Sequence, residues 1–412
     1  MLFAILAAAC LCIVPTNTFA ADTEKVLASF SGQDGAVPQA GLIFDAKGNL
    51  YGTTSTGGFT NCVSLGSCGT VFRLSPNPDG TWRKKVLHRF NGTDGMYPLG
   101  ALVMNAGGKL YGTTSWGGNN TCTFLTWVGC GTVFELSPGA NDTWTLRVIH
   151  RFNGSDGANP QSTLILDSAG NLYGTTTGGP SNGPGTVFAL QPGKNGAWVL
   201  NNLYIFKGVP DGSAPAGSLV FDTAGNLYGT TGTGGPANTG TVFELSPATG
   251  GGWIETVLYS FLSSGGTDPQ QGVILDSAGN VYGTTVSSGD SCGCKYGTVF
   301  ELMPGAGGTW TKTTLHTFTQ SDGHSPMGLV LDKVGNLYGV TFVGGTVNDG
   351  TVFELSPGSG GTWSETQLYV FGGPDGAGPV GSLIFDSSGN LYGASGYGGS
   401  GNNKGTVFEV SP

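Results

Sequence analysis

The sequence predicts an all-β protein, a seven-bladed β-propeller with four-stranded blades, on three observations. The motif LYGTT or a close relative occurs seven times, at a spacing of 54 to 62 residues that is typical of β repeat arrays. The motif GTVF follows each copy, and a segment led by Trp follows the first six copies of GTVF. The repeated Tyr residues are Tyr51, Tyr111, Tyr173, Tyr228, Tyr282, Tyr338 and Tyr392.

Each repeat contains four short segments with strand character, separated by turn signals. In the third repeat these segments are residues 162–167, 172–176, 185–192 and 198–206, which we name strands a, b, c and d. Four antiparallel strands are what a propeller blade needs. Eight of the 16 Lys and Arg residues lie on d strands, and charge discourages pairing at a sheet edge. Strand d is therefore predicted at the outer edge and strand a beside the central channel.

The N-terminal strand of the predicted domain has no repeat of its own. Six Trp-led d strands follow the first six c strands, but the seventh c strand reaches Pro412 without one. Residues 25–30, KVLASF, match the second half of the other d strands. We therefore expect this segment to complete the C-terminal blade and close the ring, so that residues 21–412 form a single domain.

The first 20 residues are predicted to be a signal peptide. Residues 2–14 form an apolar run that is too short to span a bilayer comfortably, and small residues precede a cleavage site after Ala20. The mature chain is expected to be secreted or periplasmic, without a transmembrane segment. Lipoprotein anchoring at Cys10 is the less favoured alternative.

Six cysteines outside the leader come as three close pairs, which predicts disulfides in an oxidising compartment. These cysteines are Cys62, Cys68, Cys122, Cys130, Cys292 and Cys294. The first four permit three connectivities, and Cys292 and Cys294 would make a cramped ring that is strained, redox-labile or unpaired. The net charge of −10 argues against nucleic acid as a partner.

The repeat unit NLYGTT…GG…GTVFELSP…W resembles the GloVer tandem repeat of exported bacterial proteins over essentially all of the mature chain. Its core also resembles NHL-like propeller blades more distantly. The GloVer resemblance implies an exported protein and brings no settled activity.

Two repeated carboxylate sets are candidates for chemistry, and we interpret both as turn formers first. One set precedes the "xxGN" turns, where Asp bonds the turn backbone. The other lies in the "DGxxP" loops between d and a strands, around the predicted channel mouth, where six carboxylates could hold a cation or serve acid–base chemistry. That second set is Asp34, Asp94, Asp156, Asp211, Asp322 and Asp375, with Asp268 out of register in blade five. No cofactor is expected, with Ca²⁺ as the alternative.

The b-to-c loops of blades one, two and five are long, and they alone carry cysteine pairs. Aromatic side chains gather in the loops of blades one and two and in blade seven, which ring closure makes a neighbour of blade one. Such a rim could stack on sugar rings or grip a protein, or the aromatics could pack each loop's own small core. The candidate ligand-binding residues are Phe59, Trp116, Phe124, Trp127 and Tyr397, with His324 as the one His in a d-to-a loop.

These observations favour a non-catalytic binding or scaffold module outside the cytoplasm, with a polysaccharide or a protein partner at the loop face. The alternatives are a carbohydrate-active enzyme at the tunnel mouth, either a glycoside hydrolase or a polysaccharide lyase, and a structural cell-surface protein. No acid–base constellation stands out, so no catalytic residue and no metal ligand is assigned. A monomer is expected.

Overall fold

Seven four-stranded antiparallel sheets follow one another along the chain and confirm the predicted propeller. The computed structural model describes residues 23–59, 62, 67–118, 122–124, 127–179, 183–262, 265–288, 296–400 and 403–412. Within every sheet the strands lie in the order a, b, c, d. Strand a faces the central channel and strand d forms the outer edge, as the charge pattern predicted.

The strands of blades one to three have the following bounds, given in the order a to d. Blade one contains Ile43–Phe44, Leu50–Thr54, Thr70–Pro76 and Trp82–Arg89. Blade two contains Val103–Met104, Leu110–Thr114, Thr132–Pro138 and Trp144–Arg151. Blade three contains Ile165–Leu166, Leu172–Thr176, Thr186–Pro192 and Trp198–Ile205.

The remaining blades follow the same order. Blade four contains Val220–Phe221, Leu227–Thr231, Thr241–Pro247 and Trp253–Ser260. Blade five contains Ile274–Leu275, Val281–Thr285, Thr298–Pro304 and Trp310–Thr317. Blade six contains His324–Leu331, Leu337–Val343, Thr351–Pro357 and Trp363–Val370. Blade seven contains Ala377–Phe385, Leu391–Tyr397, Thr406–Ser411 and, as strand d, Thr23–Ser29.

The connections between the blade strands contain short strands and 3₁₀ turns. Two-residue strands pair in blade two, Thr123–Phe124 with Trp127–Val128, and in blade four, Gly212–Ser213 with Thr233–Gly234. Single 3₁₀ turns lie in four c-to-d connections, at Ala140–Asp142, Lys194–Gly196, Ala306–Gly308 and Ser359–Gly361. None of the described residues forms a helix long and apolar enough to cross a membrane.

Strand a is shorter than predicted in blades one to five, where it has two residues. The prediction of a strand over residues 162–167 is therefore wrong in extent. The carbonyl of Ser162 accepts a hydrogen bond from the Thr113 hydroxyl of the preceding blade, 3.2 Å away, instead of joining its own sheet. The same exchange links Thr53 to the Gly100 carbonyl. These hydrogen bonds connect neighbouring blades and do not extend strand a within its own sheet.

The N-terminal strand closes the ring, as predicted. Thr23–Ser29 pairs antiparallel with Thr406–Ser411, the c strand of blade seven, with Thr23 opposite Ser411. Just beyond this strand, the ring of Phe30 packs edge-on against Phe72 of blade one at a centroid distance of 5.1 Å. Strand d of blade seven thus comes from the start of the domain.

A phenylalanine pair joins each blade to the next, and it explains two of the repeated motifs. The Phe at the end of each d segment meets the Phe of the next blade's GTVF edge-on, at 4.9 to 5.2 Å. Such pairs contribute roughly 0.5–1.5 kcal/mol beyond the burial of their area. The Gly of LYGTT makes room for the ring, since a Cβ on Gly174 would lie 2.8 Å from Phe188 Cζ.

The b-to-c and d-to-a connections lie on the same face of the propeller. In all seven blades the d-to-a connection pairs with the end of the b strand or the residues just after it, as in the bridges Ala36 to Thr56 and Met96 to Trp116 and the pairing of Ala377 with Tyr397. We call this side the loop face. The candidate ligand-binding residues predicted from the sequence belong to connections on this side.

Candidate functional site at the channel mouth

The central channel is lined by uncharged residues. The a strands and the residues before them enclose a cavity of about 340 Å³. Its polar groups come from the backbone, from hydroxyls such as those of Ser162 and Thr163, and from the carboxamides of Gln39, Gln161 and Gln271. In the described part of the chain, no residue lining this cavity carries an ionisable side chain.

On the loop face the channel opens into a second cavity of about 260 Å³, which we call the mouth. Each blade contributes the residue that follows the Pro of its d-to-a connection, and blade six adds Phe342. The seven residues are Gln39, Leu99, Gln161, Ala216, Gln270, Met327 and Val380. Three of these seven residues are glutamines, and Gln271 adds a fourth carboxamide to the lining. None of the described lining residues is ionisable.

The residue before each of these prolines has a left-handed backbone. We call these seven residues the mouth ring, and their φ angles lie between 54° and 61°. Each donates its backbone N–H to a carbonyl of the preceding blade over 2.6 to 3.0 Å. The mouth ring consists of Val37, Tyr97, Asn159, Ala214, Asp268, Ser325 and Gly378.

The mouth ring holds seven different side chains on one repeated backbone. A positive φ is uncommon for residues other than Gly and Asn, and it is costly for a β-branched residue such as Val37. The hydrogen bonds on both sides of the residue hold it there, because Val37 N–H reaches the Lys404 carbonyl and Val37 O accepts from Ser55 N–H. A fixed backbone with varied side chains is suited to recognition rather than to blade packing.

Aromatic rings reach the mouth from blades six and seven. Phe342 lines the mouth, and its ring lies 6.3 Å from that of Tyr397. Gly378 of the mouth ring gives Phe342 this space, since a Cβ there would lie 3.0 Å from Phe342 Cε2. One blade earlier, His324 packs edge-on against Tyr296 at 5.3 Å. His324 is the first residue of an a strand rather than a loop residue.

Of the five aromatic residues predicted to form a rim, the structure describes the side chains of three, Phe59, Trp116 and Tyr397. Phe59 is 48% exposed and Tyr397 is 42% exposed, so both offer a ring to solvent. Trp116 occupies in blade two the strand-end position that Tyr397 occupies in blade seven, but blade one lies between them with Thr56 at that place. Phe124 and Trp127 lie in the two-residue hairpin of blade two, and their side chains are outside the described residues.

Two of the predicted disulfides are present. Cys62 bonds Cys68, and Cys122 bonds Cys130, so each long loop of blades one and two is closed on itself. This settles the connectivity that the sequence left open for these four residues. Cys292 and Cys294 lie outside the described residues, as does the whole leader with Cys10.

The carboxylates of the "DGxxP" loops point to the d strands. His88 Nε2 lies 2.8 Å from Asp94 Oδ2, and the Tyr204 hydroxyl donates to Asp211 Oδ2 at 3.0 Å. None of these six residues is among those lining the mouth. The turn carboxylates are likewise engaged, as Asp45 accepts the backbone N–H groups of Lys47 and Asn49. In the described chain no group of three or more His, Cys, Asp or Glu residues is placed to hold a metal.

Three d-strand glutamates lie against "DGxxP" loops. Burial, followed by the charge of a loop Asp, raises the pKa of Glu24 and Glu255 to about 7. Burial also raises the pKa of Glu365 to about 7, with His316 opposing and Asp322 adding to the shift. The buried Oε1 of each has no hydrogen-bond partner among the described residues.

Sequence reasoning missed the glutamines of the mouth and the mouth ring. The sequence pattern that could have revealed them is the variation of residue type from blade to blade at the two positions that flank the Pro of each d-to-a connection. The candidates chosen from the sequence were instead the repeated Asp residues of the neighbouring Asp-Gly pairs, which build the turn.

Comparison with known proteins places the chain in a family. The sequence model of the Gloeobacter/Verrucomicrobia repeat matches residues 15–125, 64–294 and 271–412. The chain belongs to this repeat family. In this chain the blade motifs LYGTT and GTVF build the inter-blade contacts described above. Among curated proteins, no sequence matches this chain significantly.

Solved structures similar to this repeat protein share its fold at low sequence identity. The extracellular domain of the one-component system BT4673 from B. thetaiotaomicron has a TM-score of 0.55 and 10% identity. That match covers 94% of this chain and 40% of the other, so the chain spans about two fifths of that protein's length. An identity this low shows the fold alone.

Two oxidoreductases align more weakly. The oxidoreductase (glucose dehydrogenase) TTHA0570 from Thermus thermophilus has a TM-score of 0.45 and 14% identity, over 95% of this chain and 100% of its own. The PQQ-bound aldose sugar dehydrogenase from Streptomyces coelicolor has a TM-score of 0.47 and 13% identity, over 76% of this chain and 93% of its own. Neither similarity carries an argument about the function of this chain.

Proposed function

We propose that this protein is a non-catalytic binding module that acts outside the cytoplasm and holds a saccharide at the mouth of its channel. The predicted signal peptide and the two loop disulfides support export, since disulfides persist in oxidising compartments. The mouth is the place where the repeated scaffold carries different side chains in each blade.

The observation that carries this proposal is the uncharged, amide-rich lining of the mouth. Gln39, Gln161 and Gln270 each bring a carboxamide that can both donate and accept hydrogen bonds. Sugar hydroxyl groups need both kinds of partner, and the apolar face of a sugar ring needs an aromatic surface, which Phe342 offers. Binding sites for small ligands combine such apolar walls with a few placed polar groups.

Binding rather than catalysis follows from the same lining. Glycoside hydrolysis needs a pair of carboxyl groups that flank the scissile bond. The described residues that line the channel and the mouth include no ionisable side chain. The candidate carboxylates in the "DGxxP" loops make hydrogen bonds to their own turns and d strands instead.

A polysaccharide array, followed by calorimetric titration of the bound sugars, tests this proposal. We expect the double variant Gln39→Ala/Gln161→Ala to bind at least tenfold more weakly, because it removes two amide partners from the mouth. Gln33→Ala is the matched control, since Gln33 is exposed on the loop face outside the mouth, and its affinity should be unchanged. Trp116→Ala tests the rim separately.

Two outcomes would contradict the proposal. The intact protein could bind no saccharide, which would favour a protein partner or a structural role. Alternatively, Trp116→Ala could abolish binding while the double glutamine variant binds normally. That result would move the site from the mouth to the aromatic rim.

A further inference from the structure

The d-to-a connection of blade five differs from the other six. It reads GGTDPQ, so the acidic residue is absent from the turn and appears instead directly before the Pro. Asp268 therefore occupies the mouth ring, with a φ of 61°. It is the one charged side chain among the seven ring residues. Its backbone N–H bonds the Thr239 carbonyl at 2.9 Å, as its counterparts do in the other blades.

Asp268 does not itself line the mouth, but its carboxylate lies beside a residue that does. Its Oδ2 accepts a hydrogen bond of 2.9 Å from Nε2 of Gln270, whose side chain lines the mouth. Its Oδ1 lies 3.1 Å from where a Cβ on Gly232 would stand. Blade four therefore has a glycine at the place where Asp268 projects, and any side chain there would push against the carboxylate.

No cation in the described chain lies within ion-pair distance of Asp268. The d-strand lysine of blade five, Lys312, donates instead to the Gly265 carbonyl and the Thr314 hydroxyl, both at 2.8 Å. Burial raises the pKa of the Asp268 carboxyl, with the hydrogen bond from Gln270 opposing. A half-buried carboxylate with no counter-ion among the described residues attracts a cationic ligand and repels an anionic one.

We infer that Asp268 makes the mouth selective for saccharides that carry a protonated amino group over neutral and acidic ones. This inference rests on the proposed saccharide binding. The ammonium group of such a sugar donates to Asp268 Oδ1, while the remaining hydroxyls bind the neighbouring carboxamides. A hydrogen bond between two charged groups contributes more than one between neutral groups, so the charge sets the preference among ligands of equal size. Uronate sugars are rejected by repulsion between carboxylates.

The test compares three oligosaccharides of equal length in calorimetric titrations at a pH where the amine is protonated. They are oligomers of glucosamine, of N-acetylglucosamine and of galacturonate. We expect the intact protein to prefer the glucosamine oligomer over the N-acetylated one by about tenfold, which is 1.4 kcal/mol. Asp268→Asn should reduce this preference to within about twofold while leaving the affinity for the N-acetylated oligomer unchanged.

The variant Asp349→Asn is the matched control. Asp349 is also on the loop face, outside the lining of the mouth, and its substitution changes the net charge equally. It should keep the full preference. Asn tolerates the left-handed backbone of position 268, so Asp268→Asn should fold, and a thermal melt checks this.

The outcomes separate this inference from the proposed function. If the intact protein binds all three oligomers equally, or if Asp268→Asn keeps the preference, the role of Asp268 is wrong and saccharide binding stands. If the intact protein binds none of these oligomers and no other saccharide, both the proposed function and the inference are overturned.

Discussion

At the scale of single residues, the mouth ring shows how a repeated backbone can carry different chemistry. Seven residues before Pro adopt the left-handed conformation, and two of them, Val37 and Tyr97, are types that rarely do so. The inter-blade hydrogen bond of each N–H supplies the free energy that holds them. Side chains at these positions can therefore change without changing the frame.

This conformation could not be read from the sequence. A residue before Pro is expected to be extended, because the Pro ring clashes with other conformations of its predecessor. The local rule fails at Tyr97 because a partner from another blade, the Cys68 carbonyl, overrides it. The location of the ring therefore depends on a contact between segments far apart in the chain.

Also at the residue scale, the three d-strand glutamates predict a dependence of stability on pH. Their folded pKa of about 7 lies above the ordinary 4.5, so the folded state binds protons more tightly than the unfolded chain. The resulting stabilisation is present below pH 4.5 and is lost as the pH rises through 7. Replacing all three by Gln should remove much of this slope and raise stability at pH 8.

Urea unfolding at several pH values measures this effect. We expect the triple variant, Glu24→Gln/Glu255→Gln/Glu365→Gln, to gain on the order of 1 kcal/mol per site at pH 8, since solvent screens part of the shift. It should gain almost nothing near pH 4. Glu354→Gln, on a c strand with its carboxylate bonded to Ser356, is the control and should keep the slope of the intact protein. An unchanged slope in the triple variant would refute this prediction.

At the scale of elements, the Gly of GTVF joins strand c to the next blade. Gly185 has a φ of 114°, and a Cβ there would lie 2.5 Å from both the Pro215 ring and the Thr176 carbonyl. The same glycine faces a Pro of the next blade in every repeat. The two motifs GTVF and "DGxxP" are therefore halves of one inter-blade contact.

This contact predicts different costs for two similar substitutions. Gly185→Ala forces a Cβ against two fixed groups and should lower the free energy of unfolding by on the order of 3 kcal/mol. Gly170→Ala is the matched control, because its φ of 86° is also positive but open space surrounds it. It should cost about 1 kcal/mol from backbone strain alone. Equal costs in chemical denaturation would show that backbone strain, not crowding, requires the glycine.

The sequence predicted the number, order and type of the elements because each blade repeats the same local signals. It overestimated strand a, since Ser162 reads as part of a strand but bonds the preceding blade. It predicted correctly that the cysteines of the long loops in blades one and two form disulfides, because each loop holds two cysteines at short spacing. It did not predict the pairing of Phe342 with Tyr397, which depends on two blades meeting at the mouth.

At the scale of the whole molecule, ring closure depends on one strand taken from the start of the domain. Thr23–Ser29 occupies the place that Trp-led strands occupy in the other six blades. A permuted chain should therefore fold if residues 23–30 are moved behind Pro412 through residues 358–363 of blade six, which keep Thr23 opposite Ser411 as Ser364 is opposite Ser356. We expect its circular dichroism spectrum and urea midpoint to match those of the original closely.

Deletion of residues 23–30 provides the comparison for the permuted chain. It exposes the edge of the c strand of blade seven and removes the Phe30 ring that packs on Phe72. We expect this chain to aggregate or to unfold at a much lower urea concentration. A deleted chain as stable as the original would contradict closure by the N-terminal strand.

The central claim is that the uncharged mouth, and not the rim or the outer edge, holds the ligand. The most direct measurement is the side-chain amide NMR spectrum of the protein during titration with a saccharide identified on the array. The account predicts selective shifts for Gln39, Gln161, Gln270 and Gln271, with Gln33 unmoved. Unchanged mouth amides during saturable binding would contradict it and would place the ligand elsewhere on the propeller.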